Sequence, residues 1–278
     1  MKAQVMGPQA ELETGSQSVT AFSPTLGMTE EEFQVLVDST LIMIPHRTTD
    51  GISAGLSQAM GAWARFGGTV ATIVDEFGGF IEVTRSNMVR TFLEYCASHP
   101  NIDKLVMIDN DENIAWDAPY RLAAWDLPVV SGVVCNYNEN RGVFACFTMK
   151  DEHGVARFPS YNFTKTMPGK GLVKAHSVGT GLLCVKKVVF EKIYDAGLYP
   201  FYIPEATRIH AAQTGLLAWG EDIAFCRQCE DLGFDRHVDL SVQAVHYKIM
   251  PISWPKAAID WEGDPSEWKV SPKDYRHG

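Results

Sequence analysis

Short apolar runs that alternate with helix-like segments constrain the fold of this chain more than any other feature. Four runs have the length and the β-branched content of buried strands: residues 41–45, 68–74, 104–108 and 127–134. Between them, apolar residues recur at helical spacing in residues 52–66, 85–98 and 118–125. Strands and helices that alternate in this way predict βαβ units, and therefore a mostly parallel central sheet flanked by helices.

The second half of the chain carries fewer regular elements. We predict strands over residues 178–185 and 238–245 and helices over 188–196 and 221–232. Residues 151–174 are polar, contain prolines and glycines, and read as a long loop.

Length and composition favour one large domain. The chain has 278 residues, of which 46% are hydrophobic, which is enough to bury a full core. We predict a flexible N-terminal tail over residues 1–28, which are rich in Gly, Ser, Thr, Gln and Pro. The α/β domain is expected over 29–250, and a C-terminal extension packed on it over 251–278.

Charge and targeting signals narrow the classes of partner. The formal net charge of −10 argues against general electrostatic binding to nucleic acid or anionic lipid. No apolar stretch is long enough to span a bilayer, and no secretion signal is recognisable at the start. We therefore expect a cytoplasmic protein with reduced cysteines.

The six cysteines include one Cys-x-x-Cys pair, Cys226 and Cys229. These two residues share a helix face with Ile223 and Leu232, and no second pair at zinc spacing is present. Burial in the core is therefore favoured over a metal or redox site.

Asp109, Asn110 and Asp111 follow the buried strand 104–108 directly. The carboxyl ends of parallel strands are where open α/β sheets bind ligands, and two carboxylates there can hold one hard cation. His246 ends the last predicted strand and is a borderline ligand that suits Mn²⁺. Because strand ends converge at one edge of the sheet, we expect His246 to join Asp109 and Asp111 at a metal.

Two other motifs admit both a structural and a functional interpretation. Glu221 and Asp222 open a helix, where they are either ordinary first-turn acids or a general base. The sequence Gly179-Thr180-Gly181 interrupts a strand pattern, which indicates either a bulge or a close approach of ligand or backbone. The residues alone leave these alternatives open.

In this order, the motifs resemble those of GT-A glycosyltransferases, in particular the family-2-like group of bacteria and phages. The resemblance covers about residues 41–248 and rests on these segments: 41–45, 84–87, 106–111, 127–132, 179–183, 220–226 and His246. It implies a single-domain, Rossmann-like GT-A fold. It also implies transfer of a sugar from a nucleotide-sugar donor, usually a UDP-sugar, to an acceptor hydroxyl with Mn²⁺ or Mg²⁺.

The resemblance also implies roles for individual residues. Asp109, Asp111 and His246 match the metal positions, and Asp222, with Glu221 beside it, matches the base of inverting members. The residues expected near the donor are Pro45, His46, Arg47, Asp75, Arg85, Asn87, Asp109, Asn110, Gly179, Thr180, Gly181 and Lys248. The loop 151–174 is expected to close over the donor and exclude water.

Two other functions compete with this interpretation. One is a nucleotidyltransferase, although no glycine-rich loop with a basic residue follows the first strand. The other is a non-catalytic protein that binds a nucleotide sugar. The acceptor is open between a glycan, a protein, a small molecule and a modified base of phage DNA.

Overall fold

The structure, a computed structural model, describes part of the chain. The described residues are 3–6, 27–47, 51–75, 81–138, 142–150, 152–158, 171–205, 207, 209 and 220–246. The chain divides into two units, residues 1–247 and 248–278, and all described residues belong to the first. Lys248, the predicted extension 251–278 and most of the expected loop over the donor lie outside the described residues.

The described part of the chain is a mixed α/β structure. Its helices are α1 (Glu30–Asp38), α2 (Ala54–Arg65), α3 (Ile81–Ser98), α4 (Ala118–Ala124), α5 (Lys187–Asp195) and α6 (Glu221–Asp231). Its strands are β1 (Ala3–Met6), β2 (Thr40–Arg47), β3 (Thr69–Asp75), β4 (Lys104–Ile108), β5 (Glu112–Ile114), β6 (Val129–Asn138), β7 (Gly142–Ala145), β8 (Phe147–Lys150), β9 (Ala156–Arg157), β10 (Leu172–Ala175), β11 (Ser177–Val178), β12 (Leu182–Lys186) and β13 (Arg236–His246).

The central sheet has the strand order β1-β3-β2-β4-β12-β6-β13-β10, with β5 added to β13 and β7 to β6. Strands β3, β2, β4, β6 and β13 run in one direction, and β1, β12 and β10 run in the other. A second, small sheet joins β11, β8 and β9. This arrangement confirms the predicted mostly parallel sheet flanked by helices, and it is consistent with a Rossmann-like GT-A fold.

Both faces of the central sheet are buried, which explains its unbroken apolar strand sequences. In β4, Leu105 and Met107 face one core, which also contains residues of α3, α5 and α6. Val106 and Ile108 face the other core, which contains residues of α1, α2 and α4. Full burial of each such side chain stabilises the fold by about 1.5–3 kcal/mol before entropy is counted.

Two predicted strands differ from the structure. The first strand was expected to stop at Pro45, but β2 continues to Arg47. Its pairing with β4 ends at Met43, whereas its pairing with β3 continues to Arg47. Pro45 therefore lies where the strand has a partner on one side only, which is where a sheet tolerates a residue without an N–H group.

The second difference concerns the predicted strand 178–185. It is two strands in two sheets, because β11 ends at Val178 and β12 begins at Leu182. A Cβ atom on Gly179 would lie 2.8 Å from the carbonyl oxygen of Cys146, so the break needs glycine for backbone packing. β12 is also antiparallel to both of its neighbours, β4 and β6.

Helix termini follow the sequence closely. Thr29 and Glu32 form the two reciprocal hydrogen bonds of a capping box at the start of α1. Gly233 has a φ of +79° and follows the end of α6, as expected of a glycine that terminates a helix.

The N-terminal residues and the helix lengths bear on two further expectations. Within the expected N-terminal tail, β1 pairs with β3 at the edge of the sheet. Among the described residues, the structure contains no helix that is both long and apolar enough to cross a membrane.

Candidate active site

The turn between β4 and β5 places three acidic side chains at the carboxyl edge of the sheet. Asp109 donates its backbone N–H to the Gly181 carbonyl at 2.9 Å, and Glu112 donates its own to the Asp109 carbonyl at 3.2 Å. The start of α2 holds the other side of the turn, since the Ser53 N–H donates to the Asn110 carbonyl at 2.9 Å. Asn110 thus accepts a hydrogen bond through its backbone carbonyl, and its side-chain amide donates to a backbone carbonyl just before α2.

Asp111, Glu112 and His246 form a cluster whose ligand atoms all lie within 4.8 Å of one another. His246 Nε2 lies 2.9 Å from Asp111 Oδ2, and Nδ1 lies 3.9 Å from Glu112 Oε1. Antiparallel pairing of β5 with β13 sets Glu112 directly opposite His246. Two carboxylates and one imidazole are donors that suit Mn²⁺ or Mg²⁺, so this cluster can hold a metal ion.

The hydrogen bonds of His246 favour ligation through Nε2. Nδ1 lies 3.2 Å from the Cys135 carbonyl oxygen, which can only accept, so Nδ1 carries a hydrogen in this contact. The hydrogen bond to the Asp111 carboxylate is the main cause of a raised pKa of His246. Burial opposes this effect, and the charge of Glu112 adds to it. A metal at Nε2 would displace a proton, while the Cys135 carbonyl would keep the ring oriented.

Arg85 occupies the centre of the site and is only 4% exposed. Its Nη2 donates to Asp109 Oδ1 at 2.8 Å and to Oδ2 at 3.1 Å, and Nη1 donates to Thr180 Oγ1 at 2.6 Å. Nη1 also lies 3.5 Å from Glu221 Oε1. The side chain therefore joins α3, the end of β4, the segment before β12 and the start of α6.

The charge of Arg85 is retained despite its burial. Desolvation lowers the pKa of the guanidinium, but Asp109, Glu221 and Asp222 raise it by more, so the net pKa lies above its ordinary value. The first aspartate of the motif is thus paired with Arg85, whereas the second lies against His246. The predicted role of Asp109 as a metal ligand stays a prediction.

Glu221 and Asp222 begin α6 beside Arg85. Burial raises the pKa of both carboxyls, with Arg85 acting in the opposite direction on each. Asp222 Oδ1 accepts the backbone N–H of Ile223 at 2.7 Å, which fixes the carboxylate at the helix start. A Cβ atom on Gly220 would lie 2.6 Å from the same oxygen, so glycine leaves room for this carboxylate.

Gly181 lies against the acidic turn. A Cβ atom there would be 3.1 Å from Glu112 Oε1 and 3.3 Å from Asp109 Oδ2. Any larger residue would press on both carboxylates, so the glycine predicted from the sequence to allow a close approach does so at the site itself.

The remaining predicted donor residues that the structure describes lie on β2, β3 and α3. Pro45 and His46 are near the end of β2, and Arg47 is directly opposite Asp75 at the end of β3. The side chains of Arg47 and Asp75 are outside the described part of the structure. Asn87 is in α3, two residues after Arg85, so the two side chains do not share a helix face.

Sequence reasoning missed Glu112, which is fully buried. Its position next to the Asp-x-Asp motif was a signal, but the pairing that turns it toward His246 joins residues 134 positions apart. Cys226 and Cys229 are buried in the core, as predicted, and neither is part of the metal cluster.

Comparison with known proteins gives the fold only weak relatives. No family model and no curated protein matches the chain. Among solved structures, A197 from STIV superposes with a TM-score of 0.46 and 19% identity, covering 76% of this chain and 86% of that one.

Two other solved structures are similar at a lower level. GalNAc-T7, solved with UDP, GalNAc and Mn²⁺, has a TM-score of 0.43 and 12% identity, covering 76% of this chain but only 44% of its own. A putative glucose-1-phosphate thymidylyltransferase from Bacillus anthracis has a TM-score of 0.31 and 15% identity over 63% of this chain and 62% of that one. Similarities at this level do not assign the chain to a family.

Proposed function

We propose that this protein is a metal-dependent glycosyltransferase that moves a sugar from a UDP-sugar donor to an acceptor hydroxyl. The observation that carries the proposal is the cluster of Asp111, Glu112 and His246 beside the buried Arg85–Asp109 pair. A donor diphosphate and a divalent cation are opposite charges that such an edge can bring together.

Negative charge is concentrated at this edge. Five carboxylates lie there, with the Arg85 guanidinium and the His246 imidazole among them: Asp109, Asp111, Glu112, Glu221 and Asp222. A dianionic diphosphate would add to the excess negative charge, and a divalent ion offsets it. Bound at Asp111, Glu112 and His246, the ion would supply Lewis-acid stabilisation of the leaving diphosphate.

The chain's own residues divide the remaining work. Burial raises the pKa of both Glu221 and Asp222, but Glu221 is paired with Arg85 at 3.5 Å, whereas Asp222 is held by a backbone N–H. A raised pKa makes a carboxylate a stronger base. We assign Asp222 as the group that takes the acceptor proton.

The reaction then balances with these residues. Asp222 removes the proton from the acceptor hydroxyl, and the oxygen forms a bond to the anomeric carbon. The bond from that carbon to the donor phosphate oxygen breaks on the opposite face, and the nucleoside diphosphate leaves. The configuration at the anomeric carbon is inverted.

Release of nucleoside diphosphate from a panel of UDP-sugars, with Mn²⁺ or with EDTA, tests the proposal. We expect Mn²⁺-dependent release of UDP from one donor, and a loss of about 100-fold or more in Asp111→Ala, since the metal supplies several kcal/mol of stabilisation. Asp222→Asn should abolish transfer yet keep the metal-dependent shift in melting temperature. Asp231→Asn, at the exposed end of the same helix, is the matched control and should behave as wild type.

The products separate this proposal from its competitors. A nucleotidyltransferase would release no UDP, and with added pyrophosphate it would convert the UDP-sugar into UTP and a sugar 1-phosphate. A binding protein would show the donor-dependent melting shift without any release. Either result would overturn the assignment.

A further inference from the structure

A pocket of ≈ 420 Å³ lies at the other end of the two elements that carry the candidate active site. Its wall includes Glu230, nine residues after Glu221 in α6, which is about 14 Å along a helix. It also includes Arg236, ten residues before His246 in β13, which is about 30 Å along a strand. The pocket is therefore separate from the metal cluster.

Three cationic side chains and two carboxylates line this pocket: Lys150, Lys174, Arg236, Glu230 and Asp235. The lysines are each paired, Lys150 with Glu230 at 3.1 Å and Lys174 with Asp235 at 2.7 Å. One positive charge, that of Arg236, is left in excess in a chain whose net charge is −10.

Arg236 is only 6% exposed, and its ion pair with Glu230 is long. Nη1 donates to the Phe234 carbonyl at 3.1 Å, and Nη2 lies 3.9 Å from Glu230 Oε2. Within the described structure, Nε has no hydrogen-bond partner. A buried guanidinium in this condition is costly, and an anion with several oxygens would relieve the cost.

The end of α6 does not oppose an anion as strongly as a free helix terminus would. The last carbonyls of the helix accept N–H groups from the residues that follow it, because Leu232 donates to Gln228, Gly233 to Glu230 and Phe234 to Cys229. The negative end of the helix dipole is therefore partly satisfied within the chain.

We propose that this pocket binds the phosphate group of a small molecule, seated on Arg236. Lys150 and Lys174 turn from their carboxylates toward the incoming oxygens. Those carboxylates lose little, since Glu230 is 43% and Asp235 is 55% exposed and water can solvate them. Three cations can meet the three terminal oxygens of a phosphate monoester, whereas a carboxylate offers only two oxygens.

The pocket is larger than a bare phosphate fills, so inorganic phosphate and a phosphorylated small molecule are tested side by side. Full-length protein in EDTA is titrated with inorganic phosphate and with glucose 6-phosphate at constant ionic strength, by calorimetry and by melting temperature. We expect binding of at least one, and a weakening of about 5- to 10-fold in Lys174→Gln, the loss of one charge-assisted contact.

The matched control is Lys192→Gln. Lys192 is exposed and paired with Asp195 at 3.4 Å, as Lys174 is with Asp235, but it lies outside the pocket. It should bind as wild type does. Arg236→Lys keeps the charge and loses the planar fork, so it should bind more weakly than Lys174→Gln. If Arg236→Lys does not fold, Lys150→Gln is measured in its place.

Three results would overturn the proposal. The first is a melting shift no larger than that given by potassium chloride of the same ionic strength. The second is an equal loss in Lys192→Gln and Lys174→Gln. The third is loss of binding in Asp111→Ala, which would place the anion at the metal cluster. Because the titration contains no metal and no nucleotide sugar, it can succeed or fail independently of the glycosyltransferase proposal.

Discussion

The two edges of the central sheet, at the amino and the carboxyl ends of its parallel strands, differ in charge balance. At the amino edge, Lys104 and Lys186 lie opposite each other in β4 and β12, and two aspartates neutralise them. Lys104 Nζ is 2.9 Å from Asp103 and 3.4 Å from Asp126, and Lys186 Nζ is 2.8 Å from Asp126. Around these two strands the two lysines are matched by two aspartates, so their charges are satisfied within the chain.

At the carboxyl edge, carboxylates outnumber cations. Arg85 serves both Asp109 and Glu221, while the ring of His246 lies 2.9 Å from Asp111 and 3.9 Å from Glu112. Where charges are matched, folding alone neutralises them, whereas a cluster of carboxylates is neutralised when a cation binds. The acidic turn at the carboxyl edge is therefore where we expect a cation to bind.

Arg85→Met should have the largest effect on stability. It leaves Asp109 and Glu221 without their cation in a largely buried site, at a cost of about 2–4 kcal/mol. Urea unfolding in EDTA measures it. Arg85→Lys should recover only part of the loss, because an ammonium cannot bridge the same three partners. A cost no greater than that of Lys104→Met would break the contrast between the edges.

Mn²⁺ should stabilise the protein almost as strongly. At 100 times its dissociation constant, a ligand that binds only the folded state contributes about 2.7 kcal/mol. Melting temperature against Mn²⁺ concentration measures the effect. Glu112→Gln should weaken it, and Lys104→Met should leave it unchanged. A full shift in Glu112→Gln would remove that residue from the metal site.

Lys104→Met should cost only about 0.5–1 kcal/mol. Its partners are open to water, with side chains 48% exposed for Asp103 and 66% for Asp126, so neither is left as a buried charge. Urea unfolding under the conditions used for Arg85→Met gives the comparison. Sugar transfer should be unaffected, and a fall in activity would show that the amino edge influences the site.

The smallest effect is a difference in pH dependence. Burial raises the pKa of Glu221 in the folded state above its ordinary 4.5, so the folded state holds the proton longer and stability falls as pH rises from 4.5. The hydrogen bond from Lys186 lowers the pKa of Asp126 below 3.8, so that contribution is lost as pH falls below 3.8.

Melting temperatures measured from pH 3 to pH 8 distinguish these two signs. In Glu221→Gln, the loss of stability that accompanies a rise in pH above 4.5 should disappear. In Asp126→Asn, the loss of stability that accompanies a fall in pH below 3.8 should disappear. Changes of the same sign in both variants would contradict the assignment.

The parts of the fold that depend on local pattern could be predicted from the sequence. The apolar run of β4 is buried on both faces, so its composition alone identifies it, and the acids that follow it fall at the strand end. The cap of α1 and the glycine after α6 are equally local signals.

What depends on distant pairing could not be predicted. Arg85 was expected to lie near the donor, but nothing in the sequence indicates that it is buried among partners up to 136 positions away in the chain. The division of residues 178–185 between two sheets and the antiparallel direction of β12 also come from pairing with β8, β4 and β6. Periodicity reports which face of an element is apolar, but it carries no information on its neighbours.

The antiparallel direction of β12 has a consequence for errors in strand pairing. Because this strand enters the sheet from the carboxyl edge, the segment Gly179–Gly181 leads directly into the buried side chains Leu183 and Val185. A slip of one residue would turn the apolar side chains of β12 to the wrong faces and carry Thr180 away from Arg85. A molecule with this pairing error would therefore lose stability and the candidate site together, so the error could not persist in a stably folded molecule.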